Sequence, residues 1–133
     1  MSLDFGQPAQ GDVVRRALVR GFTRSDLLFL GELRDVTPAA ARLGFLAPVA
    51  ASQAVQQDTY RLADLLRLHP AQVMRKMLLS LFAVVSGREF TQDETQVFTS
   101  PGYGSDLLVH AGCDQDEQWY LTVYAAGEDP ALI

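Results

Sequence analysis

The feature that most constrains the fold is a change in hydrophobic periodicity near Arg88. Before this residue, apolar side chains recur at three- and four-residue spacing, which is typical of amphipathic helices. After it, short runs rich in Val, Leu, Thr and aromatic residues occupy residues 96–100, 106–111 and 118–125. The last of these runs alternates with a period of two, as a strand with one buried face does. The sequence therefore predicts helices first and strands last.

Capping residues, glycines and prolines divide the first part into about five helices. Pro48 can open a further helical turn through Val55, and the pair His69-Pro70 separates the last two helices, because a residue before proline avoids helical geometry. The five predicted helices cover residues 13–22, 24–35, 37–44, 58–68 and 70–87.

We therefore expect an α+β fold in which an N-terminal helical part packs on a C-terminal three-stranded antiparallel meander. A chain of 133 residues has the usual size of one domain, so residues 1–133 are predicted to form a single domain. Charge follows the same division. Residues 1–88 contain all eleven basic and seven acidic residues, a net charge of +4, whereas residues 89–133 carry nine acidic residues, a net charge of −9.

Several classes of protein are excluded by composition. The single cysteine, Cys113, cannot form an internal disulfide. The longest apolar run, residues 77–85, is shorter than the roughly 18 residues of a membrane span. The N-terminus lacks the basic and apolar regions of a secretory signal. With a net charge of −5, non-specific attraction to nucleic acid or anionic lipid is expected to be poor. The expectation is a soluble, cytoplasmic domain that does not contact membranes.

Residues 59–82 carry a pattern in which a small residue, Ala63, is followed by apolar Leu68 and Val73. This segment resembles a bacterial helix-turn-helix, in which such residues let two helices cross closely. The resemblance implies that Gln72, Arg75 and Lys76 face the DNA major groove, where Gln can pair with adenine and Arg with guanine. One departure is Arg67, which stands where the turn customarily has glycine and is itself a candidate DNA contact. The alternative for residues 59–82 is a purely structural role, as two core helices joined by a tight turn.

Groups compatible with metal binding or nucleophilic chemistry occur in the segment from His110 to Glu117, which contains Cys113, Asp114 and Asp116. Zinc requires four fixed ligands, and only one pair is visible here. The surrounding acids would raise the pKa of the thiol and weaken it as a nucleophile. The sequence therefore predicts no metal site, no cofactor and no catalytic residues.

Aromatic residues in the last run offer a different kind of site. If one face of the meander covers the core, either Trp119 or its neighbours Tyr120 and Tyr124 must face outward, where they could anchor a partner. The leading hypothesis is a non-enzymatic interaction domain that binds a protein partner or a second copy of itself. Its contact surface would be the acidic sheet, whose acids are Asp106, Asp114, Asp116 and Glu117. The alternative is a helix-turn-helix DNA-binding regulator.

Overall fold

A computed structural model describes residues 24–104, 106–113 and 117–126, which form four helices and one five-stranded mixed sheet. The helices are α1 (Arg24–Phe29), α2 (Thr37–Arg42), α3 (Gln53–Leu66) and α4 (Pro70–Val85). The strands are β1 (Leu33–Asp35), β2 (Val49–Ser52), β3 (Thr95–Phe98), β4 (Leu107–Cys113) and β5 (Trp119–Ala125).

The strands lie in the order β1-β2-β5-β4-β3. The last three strands form the predicted antiparallel meander, in which Val109 of β4 lies opposite Val123 of β5. Strand β2 extends the sheet by pairing parallel to β5, with Ala50 opposite Thr122, and β1 pairs antiparallel to β2 at the edge. The meander is therefore one part of a larger sheet that residues from the first half of the chain complete.

The prediction of five helices on a three-stranded meander is thus wrong, although the protein is α+β. Two segments predicted to be helical contain strands instead. The predicted helix over residues 24–35 ends at Phe29, because the chain turns at Gly31 (φ 82°) and enters β1. The helical turn predicted from Pro48 is β2, all four residues of which are buried between β1 and β5. The first predicted helix, residues 13–22, lies outside the described residues.

The start of α3 also differs from the prediction. The helix predicted to begin at residue 58 begins at Gln53, and its N-cap is Ser52, whose hydroxyl accepts the N–H of Val55 at 3.4 Å. Helix α4 begins at Pro70, as predicted, and ends at Val85, two residues before Gly87 (φ 72°). Gly44, two residues after the end of α2, also has a positive φ of 107°.

The main core lies between one face of the sheet and helices α2, α3 and α4. Strand alternation places Leu107, Val109 and Ala111 of β4 on this face. They pair with Ala125, Val123 and Leu121 of β5, which belong to the same core. From the helices, α4 contributes most of the buried side chains: Val73, Met74, Met77, Leu78 and Leu81.

The opposite face of the sheet is also buried, and α1 covers part of it. Leu27 of α1 packs with Leu33 and Ala50, and the guanidinium of Arg24 lies 4.5 Å from the ring centre of Tyr120. Because both faces of the central strands are covered, period-two alternation in this sheet does not produce an exposed polar face.

Candidate functional site

Helices α3 and α4 are joined by a three-residue turn, residues 67–69. Ala63 and Val73 are buried, and Leu68 packs against the main core. Arg67 has φ 55°, and its N–H donates to the carbonyl of Asp64 at 3.3 Å. Arg67 therefore occupies a left-handed helix-ending position that glycine adopts with less strain. This is the position at which the turn of a helix-turn-helix customarily has glycine.

One face of α4 is exposed and carries the residues that the helix-turn-helix resemblance assigns to DNA. The adjacent residues Arg75 and Lys76 lie three and four residues after Gln72 and before Leu79, and all four are exposed. Neither Arg75 nor Lys76 forms a salt bridge with any residue that the structure describes. Gln72 is less available to a partner, because its Oε1 already accepts the backbone N–H of His69 at 3.0 Å. Two basic side chains of α4 are thus available to a partner, whereas the carbonyl oxygen of Gln72 is occupied.

The three aromatic residues of β5 are placed differently from one another. Trp119 is 44% exposed, whereas Tyr120 and Tyr124 are buried on the sheet face that α1 partly covers. Two of the acids considered with them, Asp106 and Glu117, are exposed, and Asp114 and Asp116 lie outside the described residues. Of the three aromatic candidates, only Trp119 can touch a partner without rearrangement.

His110 and Cys113 are not brought together. They lie three residues apart on β4, so their side chains project from opposite faces of the sheet. His110 is buried, and its Nε2 lies 3.2 Å from Oδ1 of Asp93. Within the described ranges, no group of three or more His, Cys, Asp or Glu side chains is arranged to hold a metal ion.

A cleft of about 480 Å³ opens between the β1–α2 segment, α3 and the first turn of α4. Most of the surface that lines it is apolar. The apolar lining residues are Val36, Pro38, Ala39, Pro70, Ala71 and Met74. Its polar lining residues are Arg34, Asp35, Gln56, Thr59, Tyr60 and His69. The volume is that of a small-molecule site, since such sites usually measure about 300–1,000 Å³.

Three contacts fix the polar side of the cleft. Nη1 of Arg34 donates to the hydroxyl oxygen of Tyr60 at 2.7 Å, which links β1 to α3. Nδ1 of His69 accepts the N–H of Ala71 at 3.1 Å, so that His69 caps α4. Asp35 is the single carboxylate of the lining, and its Oδ1 accepts the N–H of Thr37 at 3.0 Å.

Sequence reasoning did not find this cleft. Arg34 and Tyr60 are separated by 26 residues, and no spacing rule connects a residue at a sheet edge with one on a helix. The pair His69-Pro70 was recognised only as a helix boundary, although the same local geometry places the imidazole at the cleft.

Comparisons place the chain with no known group of proteins: no family model, no curated protein and no solved structure matches it. In the part of the chain that the structure describes, no helix has the length and hydrophobicity needed to cross a bilayer.

Proposed function

We propose that the protein is a non-enzymatic interaction domain that binds a protein partner through the outer surface of α3 and α4. The observation that carries this proposal is the pair Leu65 and Leu66, which are 71% and 54% exposed at the end of α3. Burying a leucine side chain contributes about 1.5–3 kcal/mol, so a partner that covers both gains substantial binding energy. Exposed neighbouring apolar side chains are typical of surfaces that bind other proteins.

The chemistry around these leucines indicates what kind of partner would fit. Arg67 follows them directly in the chain, and it is exposed and has no salt bridge with a described residue. A partner with an apolar centre and acidic residues at its rim would complement this surface, since charge complementarity speeds association and selects partners. The non-enzymatic part of the proposal is supported by the two histidines, because His69 caps a helix and His110 is buried beside Asp93.

Site-specific photo-crosslinking tests the surface. A photoreactive residue replaces Leu65 in the full chain, and the matched control carries it at Leu46, a fully exposed leucine in the loop between α2 and β2. Discrete adducts are expected from position 65 and not from position 46 in cells that naturally express the chain. An adduct of twice the chain's mass would identify a second copy as the partner. Equal adducts from both positions, or none from position 65, would contradict the proposal.

DNA binding is a second candidate, favoured by one observation: Arg75 and Lys76 lie exposed on one face of α4, without acidic partners among the described residues. It is tested by fluorescence-anisotropy titration with mixed genomic DNA fragments at about 50 and 200 mM salt, a range over which phosphate contacts lose much of their affinity. Under this candidate function, Arg75→Ala weakens binding to a specific site by about 1–3 kcal/mol. Arg42→Ala on α2 is the control. Absence of binding at the lower salt would remove this candidate.

A further inference from the structure

We infer that the cleft between α2, α3 and α4 binds a small organic anion, a carboxylate or phosphate attached to an apolar body. This site is separate from the surface at Leu65 and Leu66, so the inference does not depend on the proposed function. It depends on which hydrogen-bonding groups of the lining remain available to a ligand, and on what the rest of the wall is made of.

Tyr60 lines the cleft, and its hydroxyl proton is available for donation. Arg34 has only N–H groups to offer, so in the 2.7 Å contact the oxygen of Tyr60 is the acceptor. The hydroxyl proton of Tyr60 is therefore not used in this contact, and no hydrogen bond to another described residue takes it up. The guanidinium of Arg34 uses one N–H in this contact and retains others in the planar arrangement that binds carboxylates and phosphates with two parallel hydrogen bonds.

His69 supplies a further donor, because one of its ring nitrogens is fixed as an acceptor and the other carries the proton. Its Nδ1 accepts the N–H of Ala71, so this nitrogen carries no proton, and in the neutral imidazole the proton is on Nε2. The capping contact thus fixes the tautomer. Arg34, Tyr60 and His69 come from β1, α3 and the start of α4, and all three line one cleft.

Two of the acceptor groups of the lining are engaged by neighbouring residues. Oδ1 of Asp35 accepts from the first N–H of α2. The hydroxyl of Thr59 is bonded to the carbonyl of Val55 at 2.7 Å and to the hydroxyl of Tyr103 at 2.6 Å. The side-chain acceptors that remain are Oδ2 of Asp35 and Oε1 of Gln56. The unused N–H and O–H groups of Arg34, Tyr60 and His69 outnumber them, which suits a ligand group with several acceptor oxygens.

The remaining wall selects the body of the ligand. Pro38, Ala39, Pro70 and Met74 offer hydrocarbon and thioether surface with no hydrogen-bonding side chain. A fully hydrated inorganic anion gains nothing from this wall, whereas an aromatic or aliphatic group attached to the anion buries apolar area against it. A flexible methionine adapts to ligands of different shape.

Binding is measured by NMR titration of the ¹⁵N-labelled full chain with three probes: phenylacetate, phenyl phosphate and the neutral analogue 2-phenylethanol. Fragments of this size bind with dissociation constants of about 1 mM. At least one anion is expected to shift the amide signals of residues around the cleft, and to bind about tenfold more tightly than the neutral analogue. The ratio of the two anion affinities distinguishes a carboxylate from a phosphate ligand.

Three variants locate the site. Arg34→Met is expected to weaken anion binding about tenfold or more, because it removes the charge and keeps the length of the side chain. Tyr60→Phe removes only the hydroxyl and provides a second variant that conserves packing. Arg42→Met removes an exposed arginine that does not line the cleft, and binding should be unchanged. Equal binding of 2-phenylethanol, equal effects of Arg34→Met and Arg42→Met, or no binding of either anion at about 10 mM would overturn the inference.

Discussion

Tyr103 donates a hydrogen bond of 2.6 Å to the hydroxyl of Thr59 and so connects the loop after β3 to the middle of α3. The direction follows from the second contact of Thr59, whose proton goes to the carbonyl of Val55 at 2.7 Å. Tyr103 and Thr59 are both buried, so neither hydroxyl can exchange its partner for bulk water. This contact ties together elements 44 residues apart in the chain.

Tyr103→Phe is therefore expected to lower the free energy of unfolding by about 1 kcal/mol, the usual contribution of a buried hydrogen bond. The ring and its packing are retained, so the loss reports the hydroxyl. Urea unfolding at neutral pH, followed by circular dichroism, measures the change. Unfolding of the variant at the wild-type urea midpoint would show that the bond does not contribute to stability.

The same tyrosine predicts a pH dependence of stability at alkaline pH. Burial raises the pKa of Tyr103 above its ordinary value of 10.0, and the nearby charge of Asp58 acts in the same direction. A raised pKa in the folded state means that the folded protein holds the proton more tightly than the unfolded chain. The stabilisation is therefore fully present below pH 10 and is lost as the pH rises through the folded-state pKa.

The measurement is the difference in unfolding free energy between the wild type and Tyr103→Phe from pH 8 upward. This difference should shrink above about pH 10, because only the wild type carries the ionisable group at this position. Comparison of the two proteins at each pH cancels the titration of the other tyrosines. A difference that stays constant across the alkaline range would contradict the expected dependence.

Local signals in the sequence were sufficient for α4 and for the meander. Pro70 and Gly87 delimit α4 by their backbone preferences alone, and strong turn segments separate β3, β4 and β5. Each of these elements is specified by residues that lie close to one another in the chain.

Strands β1 and β2 could not be found in the same way. They have three and four residues, and β2 is buried at every position, so it lacks the alternation that identifies a strand. Its alanine pair favours a helix when considered alone. It becomes a strand through parallel pairing with β5, which places Val49 opposite Leu121. The cleft was unpredictable for the same reason, since it is lined by segments that only the complete sheet brings together.

Close packing of the two helices around Ala63 provides another test. Ala63 of α3 is 3% exposed and belongs to the main core, to which α4 contributes most of the buried helical side chains. Ala63→Leu should destabilise the protein by about 1–3 kcal/mol through overpacking. Ala83→Leu, at an exposed position of α4, is the matched control and should change stability by less than about 0.5 kcal/mol. Equal thermal melting of the two variants would mean that the crossing is not close.

The capping role of His69 is separable from its role in the cleft. His69→Ala removes the acceptor for the N–H of Ala71 and should cost about 1 kcal/mol of stability. His69→Asn keeps a side-chain acceptor at the N-cap, so its unfolding free energy should stay near that of the wild type. Both variants lack the Nε2 donor. Equal destabilisation of the two in chemical unfolding would show that the cap is unimportant.

Gly112 lies directly beneath the ring of Tyr120 on the neighbouring strand. A Cβ atom at this position would lie 2.5 Å from both Cζ and the hydroxyl oxygen of Tyr120, closer than such atoms can approach. The ring is buried and stacked against the guanidinium of Arg24, so it can yield only by disturbing α1. Gly112→Ala should therefore destabilise the protein by about 1–3 kcal/mol.

Gly104→Ala is the matched control, because a Cβ atom there meets no atom within 4 Å. It should change the unfolding free energy by less than about 0.5 kcal/mol. If the clash at Gly112 acts through Tyr120, then Tyr120→Leu combined with Gly112→Ala should recover part of the loss that Gly112→Ala alone produces. Additive effects of the two substitutions would show that the ring and the glycine are not energetically coupled.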